Sequence, residues 1–378
     1  MKKQAILFSL LFFLLSCSGK ESVTETDAPI TEEKQSESPV SNDSVLPDTE
    51  VPLPEGNLEL HFFEMNDCYG DSFLVKKGNF EILVDGGAEA DARYIRQGLR
   101  RFVKDGKLDM VIVSHPHADH TGGLSDRNTF REINEVGTFI DYGYRYETPQ
   151  NDGYESNRDK FISKGATYYP VYDLFHNPDF SPVFDLGDGV TLEILNTGLY
   201  LSPETIETSN YNHNDSSIAC VLTYGKNRIF FAGDLEAKGE RNLIASYPDY
   251  FTDYHVSMKA SHHGSETSSC KEFLDYIQPE NIFISAAVLN ENLTIAGVRM
   301  QQHPYISTLK KYEDYTSSVY WNGTMGTINA YFDEENVSLI KGDGASYHYY
   351  HNGTQLTSEE EKDLPFPETK WYETYTNL

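Results

Sequence analysis

The chain has 378 residues, and its 59 aspartate and glutamate residues outnumber its 30 lysine and arginine residues, which gives a formal net charge of −29. A surface this acidic repels phosphate backbones, so the composition argues against a general nucleic-acid binder, although a local basic groove or a bound dication would alter the field at its own site. Of the four cysteines, the three that follow Cys17 have a spacing that resembles neither a disulfide framework nor a metal site.

The first 17 residues resemble the signal of an exported bacterial lipoprotein. Lys2 and Lys3 precede an apolar stretch, Ala5 to Leu15, that would cover only about 16 Å of a bilayer core of roughly 30 Å, so we expect no spanning helix. The sequence Leu-Leu-Ser-Cys at 14–17 is similar to a lipobox. This resemblance implies cleavage after residue 16, lipidation of Cys17 and attachment to the extracytoplasmic face of a membrane. A plain secretory peptide is the alternative.

Composition divides the remaining chain into three parts. Residues 17–57 are rich in Ser, Thr, Glu, Asp and Pro, a mixture that buries too little apolar surface to fold, so we expect a flexible acidic tether. Residues 58–345 are expected to form the folded domain, and residues 346–378 a C-terminal extension.

Apolar patterns predict the elements of this domain in chain order. A meander of antiparallel strands over 58–87 comes first, followed by a helix over Ala90–Lys107 and a buried strand at Met110–Val113. Later strands are expected at 191–196, 217–225, 228–234, 256–264, 281–288, 318–323 and 327–332, and helices at 234–247, 270–277 and 306–312. Residues 269–272, Ser-Cys-Lys-Glu, have the spacing of a capping box. Runs of strands interrupted by single helices predict two sheets with helices outside both.

One segment, residues 138–174, shows weaker periodicity and is rich in tyrosine, asparagine and glycine. The two interpretations are an ordinary surface loop and a lid whose tyrosines line a substrate mouth.

The sequence Ser-His-Pro-His-Ala-Asp-His-Thr-Gly-Gly at 114–123 indicates a metal site. His115 and His117 lie two residues apart directly after a buried strand, so both imidazoles can face one metal ion. Asp119 and His120 follow where the chain begins to turn, and their side chains can serve a second ion a few ångströms away, an arrangement suited to activating water. The two glycines that follow allow close backbone packing. A chance cluster of surface histidines would need neither the strand nor the glycines.

This motif resembles that of the metallo-β-lactamase superfamily, and the domain as a whole is similar to the metallo-hydrolase domain of the ComEC competence proteins. Five stretches carry the narrower resemblance: NDCYGDSFLV with ILVDGG, SHPHADHTGGL, NDSSIACVLTYGKNRIFFAGDLE, KASHHGSETS and QQHP. The resemblance implies an α/β (α+β) fold, a four-layer αββα sandwich, that carries metal ligands on loops at one edge. It also implies two divalent metal ions, with zinc expected and manganese as the alternative.

Further site residues follow from the resemblance, position by position. Asp234 matches the carboxylate that bridges the two ions, and an N-cap role for it in the next helix is compatible with bridging. His262 and His263 are adjacent and would point apart in an extended chain, so the resemblance assigns His263 to the second ion and His262 to the substrate. His303 falls where the family has another active-site histidine that contacts the leaving group or a phosphoryl oxygen; a structural role beside Pro304 is the alternative.

Supporting roles and one departure complete the implied site. Asp85 is expected to orient a ligand without touching metal, and Asp71 to pack and to form hydrogen bonds. Many superfamily members supply a third histidine to the first ion, whereas this chain has Asn214-Asp215-Ser216-Ser217 at that point, with His213 adjacent. Asn214, His213 or no side chain completes the first set, so the number and identity of the ions stay open.

Two functional hypotheses follow from these residues. The first is a membrane-anchored, metal-dependent hydrolase of phosphodiester or phosphoester bonds, with Asp119, His262 and His303 as catalytic residues. DNA and phosphocholine esters are the candidate substrates, because the resemblance favours DNA whereas the net charge and the tyrosines favour a choline-like cation. The second is a surface binding lipoprotein that keeps the fold without turnover; six clustered ligands argue against it.

Overall fold

The computed structural model describes residues 56–65, 69–205, 211–287, 294–295, 298–299, 303–343, 350–351 and 354–355. The expected signal peptide, Cys17 and nearly all of the tether lie outside these ranges, as does most of the expected C-terminal extension. Within the described ranges, no helix is both long enough and apolar enough to cross a membrane.

The first sheet has eight strands and contains the predicted N-terminal meander. Its spatial order is β17-β16-β1-β2-β3-β4-β5-β6, and the strands from β3 to β6 are parallel, whereas the other neighbours are antiparallel. The strands of this sheet are β1 Leu58–Phe62, β2 Phe73–Lys77, β3 Phe80–Val84, β4 Lys107–Val113, β5 Glu135–Asp141, β6 Thr167–Pro170, β16 Ile328–Phe332 and β17 Val337–Gly342.

The second sheet has seven strands in the order β15-β12-β11-β10-β9-β8-β7, and its half from β10 to β15 is parallel. Its strands are β7 Val183–Gly187, β8 Val190–Leu195, β9 Ala219–Tyr224, β10 Asn227–Phe231, β11 His255–Lys259, β12 Asn281–Ile284 and β15 Val319–Trp321. Two short hairpins pair β13 Thr294–Ile295 with β14 Val298–Arg299, and β18 Tyr350–His351 with β19 Thr354–Gln355.

In the ranges that the structure describes, eight α-helices connect the strands or flank the sheets. These are α1 Ala92–Phe102, α2 Ala118–Ser125, α3 Pro149–Ile162, α4 Asp173–His176, α5 Ala237–Ser246, α6 Lys271–Ile277, α7 Ile306–Glu313 and α8 Asn322–Met325.

Three apolar clusters show how the layers are held together. The central cluster contains inward-facing residues of both sheets, such as Phe62 and Ile82 from the first and Leu222 and Phe231 from the second. A second cluster packs α1, α2 and α3 on the outer face of the first sheet, and a third packs α5, α6 and α7 on the outer face of the second. Burial of apolar side chains on both faces of both sheets gives the expected four-layer αββα sandwich.

Most of residues 138–174 form regular structure, so the prediction of an ordinary surface loop is wrong, whereas a substrate mouth lined by tyrosines stays a prediction. They contain the end of β5, all of α3 and β6, and the first residues of α4. Tyr142, Tyr144 and Tyr154 are buried within the outer cluster of the first sheet.

Two predicted helix starts also differ from the structure. The capping box is absent: the N-cap of α6 is Cys270, its side chain makes no cap hydrogen bond, and the Ser269 hydroxyl contacts the Tyr312 hydroxyl instead. The helix expected from Asp234 begins at Ala237, so Asp234 does not cap it.

Candidate metal centre

The candidate site lies where parallel strands of both sheets end. His115 and His117 follow β4, Asp119 and His120 lie in the first turn of α2, and Asp85 follows β3. From the second sheet, the loop after β10 supplies Asp234, and the turn after β11 supplies His262 and His263. The carboxyl ends of parallel strands meet at one sheet edge, which explains why side chains distant in sequence converge here.

Close packing of two glycines of α2 against the loop that follows β3 positions this helix. A Cβ atom on Gly123 would lie 2.0 Å from the Gly86 carbonyl oxygen, and one on Gly122 would lie 2.5 Å from the Glu89 nitrogen. The Gly86 amide donates to the His120 carbonyl oxygen at 2.7 Å. Only glycine allows this approach, which is the role that the sequence predicts for the two glycines after the histidine motif.

Four side chains converge on one point from both sheets: Asp119, His120, Asp234 and His263. Oδ1 of Asp234 lies 3.1 Å from Nε2 of His120 and 3.2 Å from Nε2 of His263, and the two Nε2 atoms are 3.2 Å apart. We call these four residues the His120 set.

Hydrogen bonds behind the two imidazoles define which nitrogen faces the centre. Nδ1 of His263 lies 2.9 Å from the Ser285 carbonyl oxygen, which can only accept, so Nδ1 carries the proton. Nδ1 of His120 lies 2.9 Å from the Asp85 carboxylate, which also accepts. In the neutral imidazoles both Nε2 atoms then present lone pairs to the same point, as ligands of one cation do. Asp85 therefore has the orienting position expected of it.

A second group, the His115 set, shares Asp234. It contains His115, His117 and Asp234, and Nε2 of His115 lies 3.7 Å from Oδ2 of Asp234. The two Asp234 oxygens thus face different sets, which is the geometry of a bridging carboxylate. Among the described residues, Nε2 of His115 and Oδ1 of Asp234 are buried without a hydrogen-bond partner, so the donor set fits a pair of divalent cations.

Electrostatics show that the centre demands positive charge. Burial lowers the pKa of His120, but the carboxylates of Asp234, Asp85 and Asp119 outweigh burial and raise that pKa to about 10. Burial raises the pKa of Asp119, yet the nearby His120 and His263 hold it at about 2. Burial lowers the pKa of His115 well below its usual value, which keeps this imidazole in the neutral form that binds metal.

His262 and His263 occupy different positions relative to the centre. Both have left-handed backbone torsions, with φ of 50° and 52°, so the predicted strand over 256–264 ends at Lys259 and the chain is not extended here. His263 is fully buried in the His120 set. His262 is partly exposed, its Nε2 lies 3.6 Å from Oδ2 of Asp234, and its Nδ1 lies 3.4 Å from a Glu236 oxygen.

His303 lies close to His262 and His263. Its ring centroid lies 5.0 Å from that of His262 and 6.1 Å from that of His263, and Tyr69 contacts it edge-on at 4.8 Å. Burial lowers its pKa to about 3, so the ring is neutral.

The two candidates for completing the His115 set are placed differently. Nδ1 of His213 lies 2.7 Å from the Tyr144 hydroxyl, and the His213 ring centroid is 6.0 Å from that of His117. Oδ1 of Asn214 is buried without a hydrogen-bond partner in the described part of the chain. The amide Nδ2 of Asn214 contacts His262 at 3.4 Å.

Three residues that contact the site were not identified from the sequence as functional. Lys259 is buried behind the centre and pairs with Asp71, whose other oxygen lies 3.2 Å from Nδ1 of His263. Glu236 contacts His262, and Asn151 donates a hydrogen bond to the Pro116 carbonyl oxygen at 2.6 Å. The position of Lys259 near the end of a buried strand, two residues before Ser-His-His, was the available signal.

Comparisons with known proteins identify the family of this chain. The family described as the metallo-beta-lactamase superfamily matches residues 65–281. The competence protein ComA of Neisseria gonorrhoeae is 26% identical over 58% of this chain and 26% of its own length. The ComE operon protein 3 of Bacillus subtilis is 29% identical over 59% of this chain and 24% of its own length. The matched segment thus spans about a quarter of these relatives.

Solved structures give more distant matches. The metallo-β-lactamase-fold protein YhfI of Bacillus subtilis aligns over 70% of this chain and 95% of its own, with 13% identity and a TM-score of 0.38. The family match covers more than half of the sequence and contains all the residues of both metal sets. The chain belongs to the metallo-β-lactamase superfamily, as its histidine motif predicts.

Proposed function

We propose that this protein is a metal-dependent hydrolase of phosphodiester bonds. The observation that carries the proposal is the division of the Asp234 carboxylate between two histidine-containing sets, with Oδ1 facing His120 and His263 and Oδ2 facing His115. Six of the residues would hold two divalent cations: His115, His117, Asp119, His120, Asp234 and His263. Two such cations supply Lewis-acid activation of water and neutralise charge that develops on a phosphoryl oxygen.

The remaining side chains would act on the substrate. Asp119 is the most accessible carboxylate of the His120 set and can orient the attacking water as well as bind metal. His262 is partly exposed, its Nδ1 contacts Glu236 and Thr267, and the ring can donate a hydrogen bond to a phosphoryl oxygen. We assign to His303, whose ring lies beside that of His262, a contact with the leaving group.

The competence relatives support a DNA phosphodiester as the substrate to test first. A phosphocholine ester is the second substrate to test.

The proposal includes the cellular location expected from the first 17 residues, namely attachment through lipidated Cys17 to the extracytoplasmic face of a membrane. Zinc is the cation proposed, because each set combines two histidine nitrogens with carboxylate oxygens, and manganese is the alternative.

Hydrolysis of bis-p-nitrophenyl phosphate by purified protein loaded with zinc or manganese tests the proposal. We expect two cations per wild-type chain. His117→Ala should remove a ligand of the His115 set and lower kcat by about 10²–10³-fold or more, the scale on which loss of one transition-state-stabilising group acts.

His255→Ala is the matched control, because this half-exposed histidine pairs with Glu280 outside the centre and its loss should leave kcat unchanged. Wild-type protein that binds less than one transition metal per chain and cleaves no diester would overturn the proposal. Normal turnover by His117→Ala would overturn the assignment of the His115 set.

A further inference from the structure

Helix α3 packs against the metal-ligand helix α2 through a polar face. Its buried residues are Asn151, Tyr154, Asn157 and Phe161, which recur at helical spacing. Both asparagines donate hydrogen bonds from their side chains to backbone carbonyl oxygens of the ligand segment, so α3 is joined to that segment at two points.

The first point lies inside the His-Pro-His sequence. Nδ2 of Asn151 donates to the Pro116 carbonyl oxygen at 2.6 Å and lies 2.8 Å from the Thr148 hydroxyl. The Tyr142 hydroxyl donates to Oδ1 of Asn151, which fixes which end of the amide faces Pro116. Asn151 is fully buried and Tyr142 is 1% exposed, so water does not replace these bonds.

The Pro116 carbonyl belongs to the peptide group that joins Pro116 to His117. A hydrogen bond to this oxygen restricts rotation of that peptide plane, and the plane sets the direction in which the His117 side chain leaves the backbone. The preceding ligand, His115, is held separately through the contact of its Nδ1 with the Ser114 hydroxyl at 3.1 Å.

The second point lies four residues after His120, the last ligand of α2. Nδ2 of Asn157 donates to the Leu124 carbonyl oxygen at 2.8 Å, near the last residue of α2. Asn157 is also buried, and it makes the same kind of bond from the same helix. Loss of the Asn157 bond therefore measures what α3 contributes to stability, apart from any effect of α3 on metal binding.

We propose that Asn151 is a positioning residue for the metal centre, acting through the Pro116 carbonyl to hold His117 in the His115 set. The inference rests on the proposed function, because it assumes that this set binds a cation. It assigns to α3 the task of pre-orienting one of the two cation sites, a role that no ligand motif encodes.

Zinc binding, measured by competition with a chromophoric chelator, tests the inference in the full chain. Asn151→Leu should lower the affinity for one of the two zinc ions by about 10–100-fold, the range found when a group that orients a metal ligand is lost. The other ion should keep its wild-type affinity. Asn157→Leu should lower the urea midpoint by about as much as Asn151→Leu does and leave both zinc affinities unchanged. Tyr142→Phe removes only the hydroxyl that orients Asn151, so it should lower the affinity for the same ion by a smaller factor. This variant tests the inference even if Asn151→Leu fails to fold.

Unchanged affinities in both Asn151→Leu and Tyr142→Phe would overturn the inference, as would equal weakening by Asn151→Leu and Asn157→Leu. These results are distinct from failure of the proposed function, in which the wild type binds two zinc ions, the variants behave as expected, and no diester is cleaved.

Discussion

At the residue scale, the buried ion pair of Lys259 and Asp71 connects the loop that carries Asp234 with His263. Nζ of Lys259 donates to the Gly233 carbonyl oxygen at 3.1 Å, directly before Asp234, and pairs with Asp71 beside His263. Burial raises the pKa of Asp71, but Lys259 and His263 outweigh burial and keep the pKa below its usual value. The carboxylate is therefore charged and depends on its neighbours for compensation.

Lys259→Met should destabilise the fold by about 3–5 kcal/mol, because it removes the lysine partner of the buried Asp71 carboxylate and leaves His263 beside it to compensate the charge. Lys259→Met combined with Asp71→Asn should recover a large part of this loss. Urea denaturation in the presence of a chelator measures both without interference from bound metal. Lys271→Met is the control, since its exposed pair with Asp275 contributes less than about 1 kcal/mol. Equal losses for Lys259→Met and Lys271→Met would contradict the prediction.

The ligands of the histidine motif were the most predictable part of the site, and the pairing of Lys259 with Asp71 behind it was the least. His115, His117, Asp119 and His120 fall in one short motif after a buried strand, so sequence spacing alone places them together. Lys259 and Asp71 lie far apart in sequence, and only tertiary structure pairs them. A lysine in a strand is usually exposed, so nothing in the residue type itself indicates burial.

At the element scale, α3 shows why hydrophobic periodicity missed a helix. Two of its four buried residues are asparagines, so the buried stripe is not an apolar stripe. Thr148 and Pro149 were the available signal: the Thr148 side chain accepts a bond from the Asn151 amide, and the proline occupies the first turn. The predicted capping box of α6 is absent because a side chain distant in sequence accepts the backbone amides at the start of this helix.

The side chain at the start of α6 is that of Glu240, which belongs to α5. Its carboxylate accepts the amides of Ser269 at 2.6 Å and Cys270 at 2.8 Å. Burial raises its pKa to about 7 from 4.5, even though these hydrogen bonds favour the ionised form. The folded state therefore binds this proton more tightly than the unfolded state, so the associated stability is present below about pH 4.5 and is lost as pH rises towards 7.

Glu240→Gln should remove this pH dependence. The free energy of unfolding of the wild type, minus that of Glu240→Gln, should decrease between about pH 4.5 and pH 7, with a limiting slope of about 1.4 kcal/mol per pH unit. Urea midpoints of both proteins across this range measure the difference, and taking the difference cancels titrations that the two proteins share. A constant difference would show that burial does not control this carboxylate.

At the scale of the whole molecule, the fold was predictable because its strands are short apolar runs separated by turn residues. Val111 and Val113, and likewise Ile282 and Phe283, are fully buried between layers, so burial on both faces makes these runs nearly continuous. The order of strands was not predictable from the pattern alone, since β16 and β17 return to the first sheet after the second sheet is complete. Long-range pairing of this kind leaves no local signal.

The charge of the whole molecule leads to a prediction about polyanionic substrates. With a net charge of −29, the protein should repel a single-stranded oligonucleotide over long distances, even if the centre cleaves it. Salt reduces this repulsion, because the Debye length falls from about 30 Å at 0.01 M to about 8 Å at 0.15 M. We therefore expect kcat/KM for a 20-nucleotide strand to rise severalfold over this range, at saturating metal.

Bis-p-nitrophenyl phosphate is the control, since its single charge makes its kcat/KM nearly insensitive to salt. The opposite trend for the oligonucleotide, a steep fall with salt, is the signature of counterion release from a basic track. That result would mean that local cationic side chains outweigh the net charge along the path of the strand, and that the acidity of the chain lies on surfaces away from the substrate.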